Sequence, residues 1–300
     1  KNEGIVSRGE LVEIGGGFRI PDILETSGAK LVEVGATNKT HLGDYEKAIT
    51  SETAMILKVH RSNFYMGGFT EEPTTVELAE LAHSHDLPLI EDIGSGAMMN
   101  TDDLAPIDHE PRPQDALKNG IDLVCFSGDK LLGGPQSGII AGKKELVEGI
   151  KKEPFFRAVR CDKLILTVLQ ECIDTYLHTR SKKGTRGVPA LDFISESTEI
   201  LHKRAESIMA NLPKELRASF KLTSSIARTG GGTMPKSEIP SVAISITSES
   251  VSITKLARLL RTGAPAIVGT VIEGKLHLDL RTVFEYQDAQ LTDALITALS

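Results

Sequence analysis

Three hundred residues, 40% hydrophobic and 25% charged, describe a chain able to bury a large core and long enough for two domains, which excludes disordered and collagen-like readings. No apolar run approaches the roughly 20 residues that cross a bilayer as a helix, and the first residues lack a charged-then-apolar leader, so an integral membrane protein is not expected. Thirty-four Lys and Arg against 41 Asp and Glu give a net charge of −7, which excludes a generally basic nucleic-acid sleeve and leaves any RNA contact to a local patch.

The chain starts at Lys1, and residues 4–9 read as a strand entering a turn with nothing before it, as expected of a truncated N-terminus. Short apolar runs then alternate with helical periods: 31–34 before 44–49, and 54–59 before 76–83. This is βα repetition. The 76–83 segment has helical apolar spacing at Leu78, Leu81 and Ala82, with Thr74 and Thr75 as candidate caps, and 87–90 reads as the next strand. Further buried strands are predicted at 121–126 and 138–141, followed by a helix from Lys144. Such continuous apolar strands suit an α/β fold, a mostly parallel sheet with helices on both faces. After Lys163 come long helical stretches at 164–176 and 191–212, linked by a basic connector at 180–186. From Phe220 onward, strands at 242–246 and 275–279 alternate with helices at 253–260 and 289–299, a small α+β C-terminal domain. The expected division is therefore a large domain over 1–162, connecting helices over 163–215 and a small domain over 216–300. Cys125, Cys161 and Cys172 are odd in number and form no C-x-x-C pair. That argues against a disulfide framework or a zinc knuckle, and makes a reducing cytoplasm the expected location.

In doubly wound sheets, ligands sit beyond the carboxyl ends of the strands. Two segments have polar residues there: 89–96, an apolar strand ending in Glu91 and Asp92 before glycines, and 124–134, a strand ending in Ser127 and Lys130 before another glycine pair. Gly94-Ser95-Gly96 lacks the third glycine of a dinucleotide fingerprint, and the 128–134 stretch places its lysine too early for a phosphate-binding P-loop. What remains, an acid and a lysine at two strand ends, suits pyridoxal phosphate: the amine forms a Schiff base with the aldehyde, and a carboxylate keeps the pyridine nitrogen protonated. Ser127 is a candidate donor to the cofactor phosphate. From spacing alone, Lys130 is equally a solvated loop residue and Asp92 a helix cap.

Four blocks carry a resemblance: residues 6–16 with Ser7-Arg8-Gly9-Glu10, residues 67–72, residues 126–136 around Lys130, and Asp279-Leu280-Arg281-Thr282-Val283. Together they resemble the bacterial selenocysteine synthases, the L-seryl-tRNA(Sec) selenium transferase family, from Val6 almost to the C-terminus. The resemblance implies an aspartate-aminotransferase-like fold (pyridoxal-phosphate fold type I) and homo-oligomers built on dimers. It also implies conversion of seryl-tRNA(Sec) to selenocysteinyl-tRNA(Sec) with selenophosphate, through an aminoacrylyl intermediate. By position it makes Lys130 the Schiff-base lysine, Asp92 the pyridinium partner, Ser127 a neighbour of the phosphate and Asp129 a support of the catalytic site. His60, closing the 54–59 strand, falls where the fold puts a residue against the cofactor ring; a polar residue merely closing a strand is the alternative. Arg157 and Arg160 are three apart and share a face if their stretch is helical, which makes an anion site. The resemblance assigns them selenophosphate, and a pair of surface ion pairs is the alternative. Arg281 is expected at substrate, with an RNA contact or an internal salt bridge as alternatives, since a seryl ester has no free carboxylate. His83 and His85 are expected at the surface. The 230–235 loop is expected near the site, against an ordinary surface loop, and 182–186 is either a phosphate contact or a solvated linker. The family's N-terminal tRNA-binding region and an early segment that helps hold the cofactor phosphate are expected to lie upstream of Lys1. The rival readings are a related pyridoxal-phosphate lyase acting on a small amino acid or amino sugar acid, and an inactive fragment.

Overall fold

The computed structural model describes residues 1–179 and 187–299, and the basic connector expected at 180–186 lies outside them. In chain order, β1 (Glu3–Ser7) leads through a small ribbon, β2 (Glu13–Ile14) and β3 (Phe18–Arg19), and α1 (Ile20–Thr26) to β4 (Lys30–Val34). Then follow α2 (Leu42–Ala48), β5 (Thr53–Val59), α3 (Thr75–Ser84), β6 (Leu89–Gly94), α4 (Pro113–Lys118), β7 (Leu123–Ser127) and β8 (Gly138–Gly142). Three helices come next: α5 (Lys144–Lys152), α6 (Pro154–Val159) and α7 (Lys163–Thr179).

The strands of the large sheet lie in the order β4-β1-β5-β6-β7-β8. The first five run parallel and β8 runs antiparallel to β7. Strand alternation sends Ile5, Ile56, Leu89 and Val124 to one face, against Tyr45 of α2, Leu78 and Ala79 of α3 and Ala116 of α4. The opposite face gathers Val6, Leu57 and Ile90 with Ile20 and Leu24 of α1. Each fully buried aliphatic side chain contributes about 1.5–3 kcal/mol, so both faces are held by their own helices. Parallel neighbours need crossover connections, whereas the antiparallel pair β7 and β8 needs only a short one. That short connection contains Lys130. Of the two cap candidates before α3, Thr74 takes the role: its Oγ1 accepts from Glu77 N–H at 3.2 Å, and the Glu77 carboxylate accepts from Thr74 N–H at 2.8 Å.

The chain forms two compact units, Lys1–Leu191 with Thr229–Ser237, and Asp192–Arg228 with Glu238–Ser300. This division departs from the expected large domain, connecting helices and small domain. α7 belongs to the first unit, where the Tyr176 hydroxyl donates to Leu132 O at 3.0 Å. The single helical stretch expected at 191–212 is two helices, α8 (Pro189–Ser195) and α9 (Thr198–Ala210). Ser197 adopts an extended cap conformation between them and its Oγ accepts from Ile200 N–H, which starts a new helix instead of continuing the old one.

The second unit continues with α10 (Lys214–Arg217), β9 (Phe220–Ala227), β10 (Ile239–Ile246), α11 (Ile253–Thr262), β11 (Thr270–Ile272), β12 (Lys275–Asp279) and α12 (Asp288–Leu299). Its antiparallel sheet, ordered β11-β12-β10-β9, buries Ile244, Ile246 and Leu276 against Leu201 and Ile208 of α9, Leu256 of α11 and Leu295 of α12. This is the α+β unit anticipated at the C-terminal end. Among the described residues no helix is long and apolar enough to cross a membrane.

Candidate active site

The parallel strands β5, β6 and β7 end at one edge of the sheet, and their register sets Val59, Asp92 and Cys125 side by side. Burial pushes the Asp92 carboxyl above its ordinary value, and the Lys130 ammonium, the Gly94 N–H and His60 offset this only in part. Asp92 is therefore a carboxyl short of positive charge, electrostatically coupled to the lysine singled out from sequence. The main chain of Lys130 is held on both sides: Leu131 N–H donates to Ser95 O at 3.0 Å, and Gly133 N–H donates to Lys130 O at 2.9 Å.

Space around the lysine depends on two glycines. A β-carbon on Gly94 would stand 3.7 Å from Lys130 Nζ, and one on Gly232 would stand 3.1 Å from Cε and 3.3 Å from Nζ. Both glycines have left-handed φ, +74° and +93°, a conformation that side-chain-bearing residues resist. The 230–235 loop thus borders the lysine, as Gly232 demonstrates.

His60 follows β5 directly, and its N–H donates to Asp92 O at 2.9 Å. Its ring Nε2 lies 3.2 Å from Oε1 of Glu110. Ser127 is the last residue of β7 and is half-buried, and Asp129 is exposed beside Lys130. Around His60 opens a cavity of about 480 Å³, lined among others by Lys58, Arg61, Tyr65, Glu91 and Glu110. Lys130 and Asp92 are not among its lining residues.

The expected arginines have different fates. Arg157 lies in α6, which ends at Val159, so Arg160 is the residue that caps the helix with an extended backbone. Both are exposed, and among the described residues neither guanidinium has a hydrogen-bond or ion-pair partner, so the surface ion pairs considered from sequence do not form. Arg281, expected at substrate, is instead buried in the second unit at 4% exposure. Its guanidinium donates to the carbonyls of Phe193 (2.7 Å), Ile194 (3.3 Å), Glu196 (2.8 Å) and Pro240 (2.5 Å). A five-donor fork suits several carbonyls at once, and among the described residues these main-chain acceptors, not an internal salt bridge, hold the guanidinium. His83 and His85 are at the surface, yet His83 Nε2 also lies 3.0 Å from the buried carboxylate of Asp122.

Sequence reading missed Glu110, which lies in an irregular stretch without periodicity, and Ser62, buried beside Gly94. A signal for either exists only in three dimensions.

Residues 1–284 match the family model described as SelA: L-seryl-tRNA selenium transferase. The chain is 46% identical over 284 residues to the L-seryl-tRNA(Sec) selenium transferase of Maridesulfovibrio salexigens, covering 94% of this chain and 60% of that one. It is 43% identical over 295 residues to the L-seryl-tRNA(Sec) selenium transferase of Mannheimia succiniciproducens, covering 97% and 62%. The chain thus spans about 60% of the length of the curated relatives it matches. Among solved structures it is similar to a D-glucosaminate-6-phosphate ammonia-lyase, with a TM-score of 0.62 and 20% identity over 99% of this chain and 71% of that one. At that identity the likeness concerns the fold alone.

Proposed function

Because the chain belongs to the L-seryl-tRNA selenium transferase family, we propose that it is the catalytic portion of an enzyme converting seryl-tRNA(Sec) to selenocysteinyl-tRNA(Sec) with selenophosphate. The observation that carries this reading is the coupling of Asp92 to Lys130 at the carboxyl edge of adjacent strands, with glycines leaving space around the amine. These residues fit pyridoxal phosphate. A buried carboxyl lacking counter-charge suits a protonated ring nitrogen, and a half-buried lysine with clearance on two sides suits an aldehyde. Bound there, the cofactor supplies an electron-withdrawing ring that accepts the negative charge left when the seryl α-proton departs.

The chain's own residues do the rest in this reading. Asp92 would keep the ring nitrogen protonated, Ser127 would donate to the phosphate, and His60 would lie against the ring. Lys130 Nζ would be the amine that holds the cofactor aldehyde and, with the seryl substrate in place, would move the proton from its α-carbon, with Asp129 supporting it. Delivered by Lys130 Nζ to the β-hydroxyl, that proton would let it leave as water and open the β-carbon to selenium. Arg157 and Arg160, exposed and without side-chain partners among the described residues, offer two guanidinium groups to the selenophosphate anion. A homo-oligomer built on dimers and a cytoplasmic setting belong to the same proposal, the latter supported by three free cysteines. The lyase alternative has a fold likeness at 20% identity behind it, whereas identities of 42–46% favour selenium transfer.

The test is to add pyridoxal phosphate, reduce with borohydride and map the modified peptide, then to assay seryl-tRNA(Sec) with selenophosphate. Modification of Lys130 and a requirement for the tRNA are expected. Modification of another lysine, or none, would overturn the assignment. Turnover of a free amino acid or amino sugar acid without tRNA would favour the lyase.

A further inference from the structure

We propose that Glu110 is a positioning residue that acts through His60, fixing the imidazole by holding a proton on Nε2. This inference deepens the cofactor reading and rests on it for the role of His60, but the pairing itself stands on geometry. Glu110 is buried, with its side chain 3% exposed, and its Oε1 has no hydrogen-bond partner among the described residues. The same holds for His60 Nε2, 3.2 Å away, the separation of an ion pair. Two buried polar atoms left unsatisfied side by side call for a functional account.

The other basic groups lining the cavity have different partners. Lys58 lies 3.6 Å from Glu10, Arg61 2.8 Å from Glu72, His109 3.0 Å from Asp102 and Arg112 2.5 Å from Asp115. Lys236 stands over the Tyr65 ring. His60 Nε2 is thus the basic side-chain atom of the lining that faces Glu110. The carboxylate is also built in place from its backbone. Thr101 Oγ1 accepts from Glu110 N–H at 2.9 Å and donates to Asp108 O at 2.6 Å, and Asp108 N–H donates to Ser237 Oγ. His60 is fixed at its own backbone by Asp92 O. A carboxylate at Nε2 selects the ring form with the proton there and leaves Nδ1 as the nitrogen available to a bound group. The chain Glu110, His60, Asp92 therefore links an irregular loop to the strand end beside Lys130.

The experiment uses the whole chain as wild type, Glu110→Gln, His60→Asn and the double variant. Ring NMR of His60 in the cofactor-free chain, identified by its loss in His60→Asn, reads the pairing. Pyridoxal phosphate affinity and the visible circular dichroism of the bound cofactor read its consequence. Glu110→Gln is expected to displace the His60 ring signals, weaken cofactor binding about tenfold and change the dichroism. Both cofactor effects should vanish when Glu110→Gln is made in the His60→Asn background. Unmoved ring signals, an unchanged cofactor spectrum, or an equal effect with and without His60 would each overturn the proposal. If the wild type binds no cofactor while the ring signals still respond, the cofactor reading fails and the Glu110–His60 pairing stands.

Discussion

Lys130 and Asp92 could be picked out from sequence because each ends an apolar run whose burial is written in consecutive side chains. Gly232 could not be weighted in the same way, since its value lies in what it borders across the fold. Gly232→Ala puts a β-carbon against Lys130 Cε at a left-handed φ. It should cost about 1–3 kcal/mol in stability and lower the yield of the reduced cofactor adduct, measured by denaturant unfolding and peptide mapping. Asp92 gives the opposite trade. Its raised carboxyl stabilises the fold only in its neutral form: the contribution is complete below the unfolded-state value of about 3.9 and is lost as pH rises through the folded-state value. At neutral pH the burial of this carboxyl therefore costs stability. Asp92→Asn should therefore melt higher than wild type at pH 7 without cofactor, converge with it below about pH 4, and bind pyridoxal phosphate more weakly. A lower melting point at pH 7 would contradict the burial argument.

Among the elements, α3 and the start of β7 are joined by a carboxylate that no local pattern announces. Asp122 is 2% exposed at its side chain and meets Lys143 Nζ at 2.5 Å, His83 Nε2 at 3.0 Å and the Leu89 N–H at 2.7 Å. Burial alone would raise this carboxyl, but the hydrogen bonds from Lys143, Leu89 and His83 outweigh it and hold it below the ordinary range. Its stabilisation is present above the unfolded-state value of about 3.9 and is lost as pH falls through the lower folded-state value. Asp122→Ala should cost about 1–3 kcal/mol at pH 7, chiefly by stranding the Leu89 N–H, and the difference from wild type should shrink under acid, as urea titrations at several pH values would record. Periodicity placed His83 on a helix and at the surface, which the structure bears out. It could not reveal the partner, which sits just before β7, 39 residues away. The boundaries of α6 and of α8 and α9 were hidden for a related reason: a cap is decided by one residue's backbone, whereas apolar spacing runs past it.

For the molecule as a whole, each unit has its own core, and Arg281 belongs to the second. Arg281→Lys removes the planar fork and strands several carbonyls, so a loss of about 3 kcal/mol or more is expected. Below the temperature at which the second unit melts, borohydride modification of Lys130 should persist; its loss in a folded variant would support a role for Arg281 in the site. The broad plan, a mostly parallel sheet followed by a smaller α+β unit, was legible because it depends on the order of apolar periods. The partition was not, since the nine residues Thr229–Ser237 are counted with the first unit although the strands on either side of them, β9 and β10, belong to the second.

That loop has a consequence for heredity. Exchange of the coding region up to residue 191 with that of a relative would carry over Asp92 and Lys130 but leave behind Gly232 and Ser237, which border the lysine and anchor the Glu110 segment. The smallest block of sequence that transmits this site intact therefore runs past the whole of β9, and the hairpin turn between β9 and β10 cannot lengthen freely as surface turns usually do.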